Sequence, residues 1–160
     1  MVTTQNAIEE RLVQVLSREK LWLAAAESCT GGLIAHRLTN VPGSSECFLG
    51  GVVAYSNALK EALLGVSKQT LGAVGAVSEK VAREMAEGAR DRFGADITVA
   101  VTGIAGPGGG TPDKPVGLVY LAVAWQGGCD VARMEFSGTR EEIKGQTADA
   151  ALTMVWERIQ

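Results

Sequence analysis

The chain has 160 residues, of which 46% are hydrophobic and only 5% aromatic, and its formal net charge is −3. This length and composition predict one domain over residues 1–160 with a core of small aliphatic side chains, and they exclude general disorder. No Lys/Arg cluster supplies the positive surface that nucleic-acid binding needs. No apolar run approaches the roughly 18 to 20 residues of a membrane span, so we expect a cytoplasmic protein that contacts neither nucleic acid nor membrane.

Cysteine and histidine are scarce in the sequence. The three cysteines, Cys29, Cys47 and Cys129, form an odd set without Cys-x-x-Cys spacing, which is typical of a reducing compartment and not of a disulfide framework. These cysteines and the single histidine, His36, also lack the spacing of a zinc site. We therefore expect no metal and no other cofactor.

Strand and helix signals alternate along the chain. Short apolar runs rich in β-branched residues predict strands, and apolar residues three or four positions apart predict helices. In chain order the predicted elements are a helix over 5–19, a strand over 21–28, a helix that ends near 40–45, a strand over 47–56, a helix over 56–66, a long helix after 78 that includes 93, a strand over 95–102, strands over 116–125 and 130–136, and a closing helix that includes 143–155. The Gly/Pro-rich segment 103–117 is predicted to be a loop, and "QGGC" to be a hairpin turn.

Polar residues precede several of these helices and supply caps. The predicted caps are Thr30, Ser56 or Asn57, Ser78, and Thr139 with Glu142 in a capping box.

Gly31 and Gly32 then fall in the first turn of the second helix, where each costs about 0.5 to 1 kcal/mol relative to alanine. Close packing on the sheet is one reason for that cost, and close approach of a ligand to bare N–H groups is the other. Ser44 in "VPGSS" is either a further donor or part of a turn.

The alternation of strands and helices, with one hairpin near the end, predicts the fold class. We expect an α/β protein, a three-layer α/β/α sandwich around a mixed, mostly parallel sheet. Neither Gly-x-Gly-x-x-Gly nor Gly-x-x-x-x-Gly-Lys-Ser/Thr occurs in the sequence, which disfavours the usual dinucleotide and triphosphate folds.

Three hydroxyl groups fall where predicted strands end, which is the edge at which open α/β sheets bind ligands. They belong to Ser28, Tyr55 and Thr102, and each is followed by a glycine-rich turn or a helix start. Each hydroxyl alone is readily explained as a cap or as a partner of a strand-end carbonyl. Their recurrence at one edge favours a binding or catalytic site.

A nucleophilic Ser28 needs a base, and the usual histidine is not available. His36 lies about 9 Å along the helix from its start, away from Ser28, so it is expected to be an ordinary helical residue. Lys60 is the alternative because apolar neighbours and a helix N-terminus both lower the pKa of a lysine. The competing interpretation is a lysine whose ammonium lies in water, which is also expected for lysines in polar contexts such as Lys144.

Two more residues near these segments have both a functional and an ordinary interpretation. Cys29 could be a thiolate at a helix N-terminus, but without a histidine partner it is expected to be a small buried side chain. Arg140 follows "FSGT" and could hold a phosphate, or it could be a solvated residue at a helix start.

Seven motifs occur in order, namely "AESCTGG", "GSS", "YSNALK", "GAVSE", "TGIAGPGGG", "KPVG" and "FSGTR". Together they resemble the C-terminal domain of the competence/damage-inducible CinA family, which includes stand-alone nicotinamide-nucleotide amidases. The resemblance implies a three-layer α/β/α fold. It also implies hydrolysis of nicotinamide mononucleotide (NMN) to nicotinate mononucleotide and ammonia, in pyridine-nucleotide salvage, by a Ser/Lys mechanism. The pyrophosphatase activity of the N-terminal domain found in many relatives is not expected.

The resemblance assigns site residues by position in the motifs. The catalytic candidates are Ser28 as nucleophile and Lys60 as base, with Tyr55 and Thr102 lining the pocket. The candidates for substrate binding are Thr30, Gly31, Gly32, Ser44, Gly103, Gly106 and Arg140. The alternative function is a non-catalytic module that binds a nucleotide or another partner with the same glycine loops. A homo-oligomer is expected for a small metabolic enzyme of this composition.

Overall fold

The computed structural model describes residues 6–160, which form six helices and five strands. In chain order these are α1 Ile8–Glu19, β1 Leu23–Glu27, α2 Leu33–Thr39, β2 Phe48–Val53, α3 Asn57–Leu64, α4 Lys68–Val74, α5 Glu79–Phe93, β3 Ile97–Gly103, β4 Leu118–Trp125, β5 Gly128–Glu135 and α6 Arg140–Ile159. A short 3₁₀ helix, Ser44–Glu46, precedes β2. Most predicted elements are confirmed, whereas α4 and the 3₁₀ helix were not predicted.

The strands form one mixed sheet in the order β2-β1-β3-β4-β5. Strand β1 pairs in parallel with both β2 and β3, while β4 is antiparallel to both β3 and β5. The predicted α/β sandwich with a mixed sheet is therefore confirmed. Strands β1, β2, β3 and β5 run in the same direction, and β4, the first strand of the predicted hairpin, runs opposite to them.

Helices cover both faces of the sheet, and two clusters of buried side chains fill the space between the layers. On one face α1, α2 and α6 pack on alternate strand residues such as Val99 and Leu121. On the other face α3, α4 and α5 pack on the intervening small residues, such as Ala100 and Ala122. Successive side chains of a β-strand point to opposite faces of the sheet, which explains this alternation. Alanine-rich strands allow the second helix layer to lie close to the sheet.

Predicted caps are confirmed at three helices and corrected at one. Ser56, Ser78 and Thr139 each accept a backbone N–H at the start of α3, α5 and α6. Thr30 does not cap α2, because that helix begins at Leu33 and Gly32 is its N-cap residue. A fourth helix, α4, begins after Ser67, which also accepts a backbone N–H.

The correction at α2 follows from a buried carboxylate. Glu27, the last residue of β1, accepts the N–H groups of Ile34 at 2.9 Å and Ala35 at 3.0 Å, so it takes the place of a cap. Thr30 donates its hydroxyl to the same carboxylate at 2.6 Å. Gly31 and Gly32 precede the helix, with left-handed φ values of +60° and +104°. They form the turn that brings α2 back to Glu27.

Strands β1, β2 and β3 all run in the same direction, so their carboxyl ends lie at one edge of the sheet. The residues after Glu27 and Val53 and the last residues of β3 therefore meet there. No helix within residues 6–160 combines the length and apolar character needed to cross a membrane.

Candidate active site

Ser28 and Lys60 meet at this edge of the sheet, although 32 positions separate them in the sequence. Lys60 Nζ lies 3.0 Å from Ser28 Oγ. Ser28 follows β1 and donates its backbone N–H to Val101 in β3, which fixes the serine between two parallel strands. Lys60 lies on the second turn of α3. The adjacency needed for a serine nucleophile and a lysine base is present.

The other contacts of Lys60 fit a neutral amine. Nζ donates to the backbone carbonyls of Ala54 at 2.9 Å and Tyr55 at 3.1 Å. A neutral amine has two hydrogens and one lone pair. In this state two carbonyl acceptors use both hydrogens and the lone pair can accept the hydroxyl hydrogen of Ser28, whereas an ammonium would donate its third hydrogen to Oγ.

Burial favours the same neutral state. Lys60 is only 1% exposed, and it is the largest of the fully buried side chains among residues 6–160. No carboxylate contacts its amine within that part of the chain. Burial lowers the pKa of Lys60 below its ordinary value of 10.5, because the charged form loses hydration. The interpretation of Lys60 as a solvated lysine is wrong.

Glu27 holds together the segments that carry this pair. Its side chain binds the turn and helix that follow Ser28, and its backbone carbonyl accepts the N–H of Ala54 at 2.8 Å. Ala54 in turn accepts a hydrogen bond from Lys60. The sequence reasoning missed Glu27, and its place before Ser28 in "AESCTGG" was the available signal.

The turn after Ser28 exposes backbone rather than side chains. The Gly31 N–H bonds to the Ser28 carbonyl at 3.1 Å. The N–H groups of Thr30 and Gly32 have no acceptor within residues 6–160. Of the two residues only Gly32 is accessible from outside the turn. Thr30 is fully buried and donates its hydroxyl to Glu27, which favours a role in holding the turn over direct substrate binding.

Thr102 reaches the site, but its hydroxyl hydrogen is already used. The side chain is 1% exposed and donates to the carbonyl of Ala76 at 2.9 Å. This bond ties the segment before α5 to the end of β3. The contact supports a positioning role for Thr102 and gives it no proton to transfer.

Tyr55 and Arg140 approach one another on the solvent side of the site. Arg140 donates to the Tyr55 hydroxyl oxygen at 3.1 Å and to the Gly106 carbonyl at 2.6 Å. Gly106 has a left-handed φ of +79°, and a Cβ atom there would lie 2.4 Å from Val116. Arg140 therefore joins the loop after β3 to the segment after β2.

A cavity of about 290 Å³ lies between these groups. Its walls include the predicted residues Ser28, Cys29, Tyr55, Lys60, Thr102, Gly103, Gly106 and Arg140. They also include residues that were not predicted, among them Asn57, Val77, Gly108 and Gly109. The lining contains the side chains of Lys60 and Arg140 and no carboxylate. Within residues 6–160, no three His, Cys, Asp or Glu side chains gather as a metal site requires.

The structure does not bring every candidate to this cavity. Ser44 opens the 3₁₀ helix ahead of β2, at the opposite edge of the sheet, and the six residues of β2 span roughly 20 Å. Gly31 and Gly32 lie beside the cavity without lining it. His36 is exposed on α2. Cys29 is buried, and burial raises the pKa of its thiol to about 11, which disfavours a thiolate.

The chain is similar to a known protein family along nearly its whole length. The family described as the CinA C-terminal domain matches residues 5–159. The chain therefore belongs to this family. A CinA-like protein from Chlorobaculum tepidum is 52% identical over 163 positions, which cover 99% of this chain and 38% of that protein. A CinA-like protein from Geobacter sulfurreducens is 51% identical, with 96% of this chain and 37% of that protein covered. The CinA domain described here thus spans somewhat more than a third of these curated relatives.

Solved structures of CinA proteins share the whole fold. The competence/damage inducible protein CihA from Agrobacterium tumefaciens has a TM-score of 0.94 and 44% identity, with 100% of both chains covered. A CinA superfamily protein from Escherichia coli has a TM-score of 0.90 and 38% identity, with 93% of this chain and 87% of that chain covered. Both agree with the three-layer arrangement of this CinA domain.

Proposed function

We propose that the chain is an amidase that hydrolyses the carboxamide of NMN, giving nicotinate mononucleotide and ammonia in pyridine-nucleotide salvage. The observation that carries this proposal is the contact between Ser28 Oγ and the buried Lys60 amine, which also donates to two backbone carbonyls. The substrate comes from the resemblance to nicotinamide-nucleotide amidases. The cavity beside the pair fits a small ligand.

In the acylation step Lys60 takes the proton of the Ser28 hydroxyl, and Oγ attacks the carboxamide carbon. The oxygen of the tetrahedral intermediate becomes negatively charged and needs donors. The free backbone N–H of Gly32, in the turn after Ser28, is a candidate for this role. The protonated Lys60 then gives its proton to the departing nitrogen, so ammonia leaves and an ester on Ser28 remains.

In the deacylation step water hydrolyses the ester with the same lysine as base. Lys60 takes a proton from water, the resulting hydroxide attacks the acyl carbon, and the proton returns to Ser28 Oγ. Tyr55, Gly106 and Arg140 hold the ribose phosphate side of the substrate in this proposal, because they form the solvent side of the cavity. Gly103 and Thr102 complete its wall.

The direct test is product formation from NMN by the native chain and by Ser28→Ala. We expect the native chain to release ammonia and nicotinate mononucleotide in equal amounts, and Ser28→Ala to lose at least 10³-fold in kcat because no other group replaces the nucleophile. Ser45→Ala is the matched control, since Ser45 is exposed near the opposite edge of the sheet, and it should retain full activity.

Two results would contradict the proposal. Normal turnover by a folded Ser28→Ala protein would remove the serine mechanism. Binding of NMN by the native chain without ammonia release would favour the non-catalytic binding module instead.

A further inference from the structure

A second lysine lies beside the site and has no part in the amidase steps described above. Lys144 is on α6, one helical turn after Arg140. It is half-buried, although its polar sequence context predicts a solvated side chain. A Cβ atom at Gly31 would lie 3.5 Å from Lys144 Nζ, so the ammonium faces the turn that follows Ser28.

The Lys144 ammonium has no counter-charge within residues 6–160. No carboxylate lies within ion-pair distance of Nζ, and no carbonyl accepts a hydrogen bond from it. The nearby Glu142 carboxylate accepts the Thr139 N–H in the capping box. A partly shielded ammonium without a protein counter-charge is a ready partner for an anion.

The electrostatic influence of Lys144 reaches the residue next to the nucleophile. Both Lys144 and Lys60 act to lower the pKa of Cys29, against the larger effect of burial. Lys144 therefore contributes positive potential to the same edge of the sheet as the cavity. The turn beneath it contributes the free N–H of Gly32.

Arg140 provides a second cation on the same face of α6, since residues four apart are neighbours on a helix. Its guanidinium binds two neutral oxygens, of Gly106 and Tyr55, and pairs with no carboxylate within the described residues. A guanidinium has five N–H donors, so donors remain for a ligand. A phosphate monoester carries nearly two negative charges at neutral pH, which matches two unpaired cations.

We propose that Lys144 and Arg140 bind the phosphate of the substrate nucleotide above the Gly31 turn, while its carboxamide lies at Ser28. This assignment rests on the proposed amidase function. The turn from Ser28 to Gly31 spans less than about 7 Å between Cα atoms, and Lys144 Nζ lies beside Gly31, so a molecule of the size of NMN can reach from the nucleophile to the ammonium. Free inorganic phosphate has the same charge and oxygen acceptors, so its binding is measured separately from that of NMN.

The site is tested by binding to the Ser28→Ala protein, in which turnover is prevented. Calorimetry measures the affinity for three ligands: NMN, nicotinamide riboside, which lacks the phosphate, and inorganic phosphate. Each ligand is titrated into the Ser28→Ala protein and into the same protein that also carries Lys144→Met. We expect Lys144→Met to lower the affinity for NMN at least tenfold, because a charge-assisted hydrogen bond is lost. The affinity for the riboside should change less than twofold. Lys144→Arg should restore most of the NMN affinity.

Lys20→Met is the matched control, because Lys20 is exposed between α1 and β1, at the amino ends of the strands. It removes the same charge and should leave all three affinities unchanged. In the native chain, Lys144→Met should likewise lower kcat/KM for NMN and not for the riboside.

Several results would overturn the phosphate site. One is an NMN affinity that Lys144→Met leaves unchanged, and another is an equal loss of affinity for NMN and for the riboside. The others are a protein that binds neither NMN nor phosphate, and a protein in which Lys144→Met lowers the affinity for inorganic phosphate alone. The amidase proposal fails separately. A native chain that binds NMN through Lys144 but releases no ammonia would remove the amidase and leave the phosphate site.

Discussion

Lys60 and Ser28 show how far single residues can be interpreted from sequence. The sequence excludes a histidine base, because His36 is the only histidine and lies along α2. It does not decide between a buried and a solvated Lys60, since that depends on how α3 packs beneath the segment after β2. The two carbonyls that bind the amine belong to Ala54 and Tyr55, and backbone acceptors leave no trace in side-chain identity.

At this scale we predict the effect of Lys60→Arg. Arginine keeps the positive charge but does not lose its proton at accessible pH, so it cannot accept the Ser28 hydrogen. We expect kcat for ammonia release from NMN to fall about 10²- to 10⁴-fold, the usual contribution of a general base. Lys68→Arg, an exposed change at the start of α4, should have no effect. A Lys60→Arg protein within tenfold of the native rate would contradict the role of Lys60.

At the scale of elements, the region between β1 and α2 explains the main error of the sequence interpretation. Cap prediction looks for a polar side chain directly before a helix, and Thr30 met that expectation. The actual acceptor, Glu27, lies seven residues before Ile34 and belongs to a strand. Two consecutive left-handed glycines make this distant cap possible, because they reverse the chain within the turn.

We predict that Glu27→Ala destabilises the protein substantially. The substitution leaves the N–H groups of Ile34 and Ala35 and the Thr30 hydroxyl without their acceptor, so the free energy of unfolding should fall by about 2 to 4 kcal/mol. Urea unfolding followed by circular dichroism measures this change. The control Glu157→Ala, at an exposed position of α6, should stay within about 0.5 kcal/mol. Equal stability of the two variants would show that Glu27 has no such role.

At the scale of the whole molecule, the layered architecture and the β4–β5 hairpin were predictable, and the antiparallel pairing of β3 with β4 was not. Alternating strand and helix signals are local, and they suffice for an α/β sandwich. The antiparallel pairing of β3 with β4 depends on the path of the loop 103–117, which no local pattern specifies. Helix α4 was missed because it is only seven residues long and contains Gly72. The homo-oligomer stays a prediction.

The cavity itself is a whole-molecule property, because its walls come from segments far apart in the sequence. The motifs identified the chemical groups of Ser28, Lys60 and Arg140. They did not identify walls made by backbone or small side chains, such as Val77 and Gly108. Such residues carry no chemical signature, and only the packing of the layers brings them to the site.

The protonation state of Lys60 links the burial of the site to its chemistry. It can be measured by ¹⁵N NMR of the Nζ resonance, which is identified by its loss in Lys60→Met, and compared with the pH dependence of ammonia release from NMN. A protonated amine cannot accept the Ser28 hydrogen, so activity should be present above the Lys60 pKa and lost as the pH falls through it. We expect both titrations to give the same pKa, below the ordinary value of 10.5. A Lys60 amine that titrates at or above 10.5, while ammonia release persists far below that pH, would contradict a neutral lysine acting as the base for Ser28.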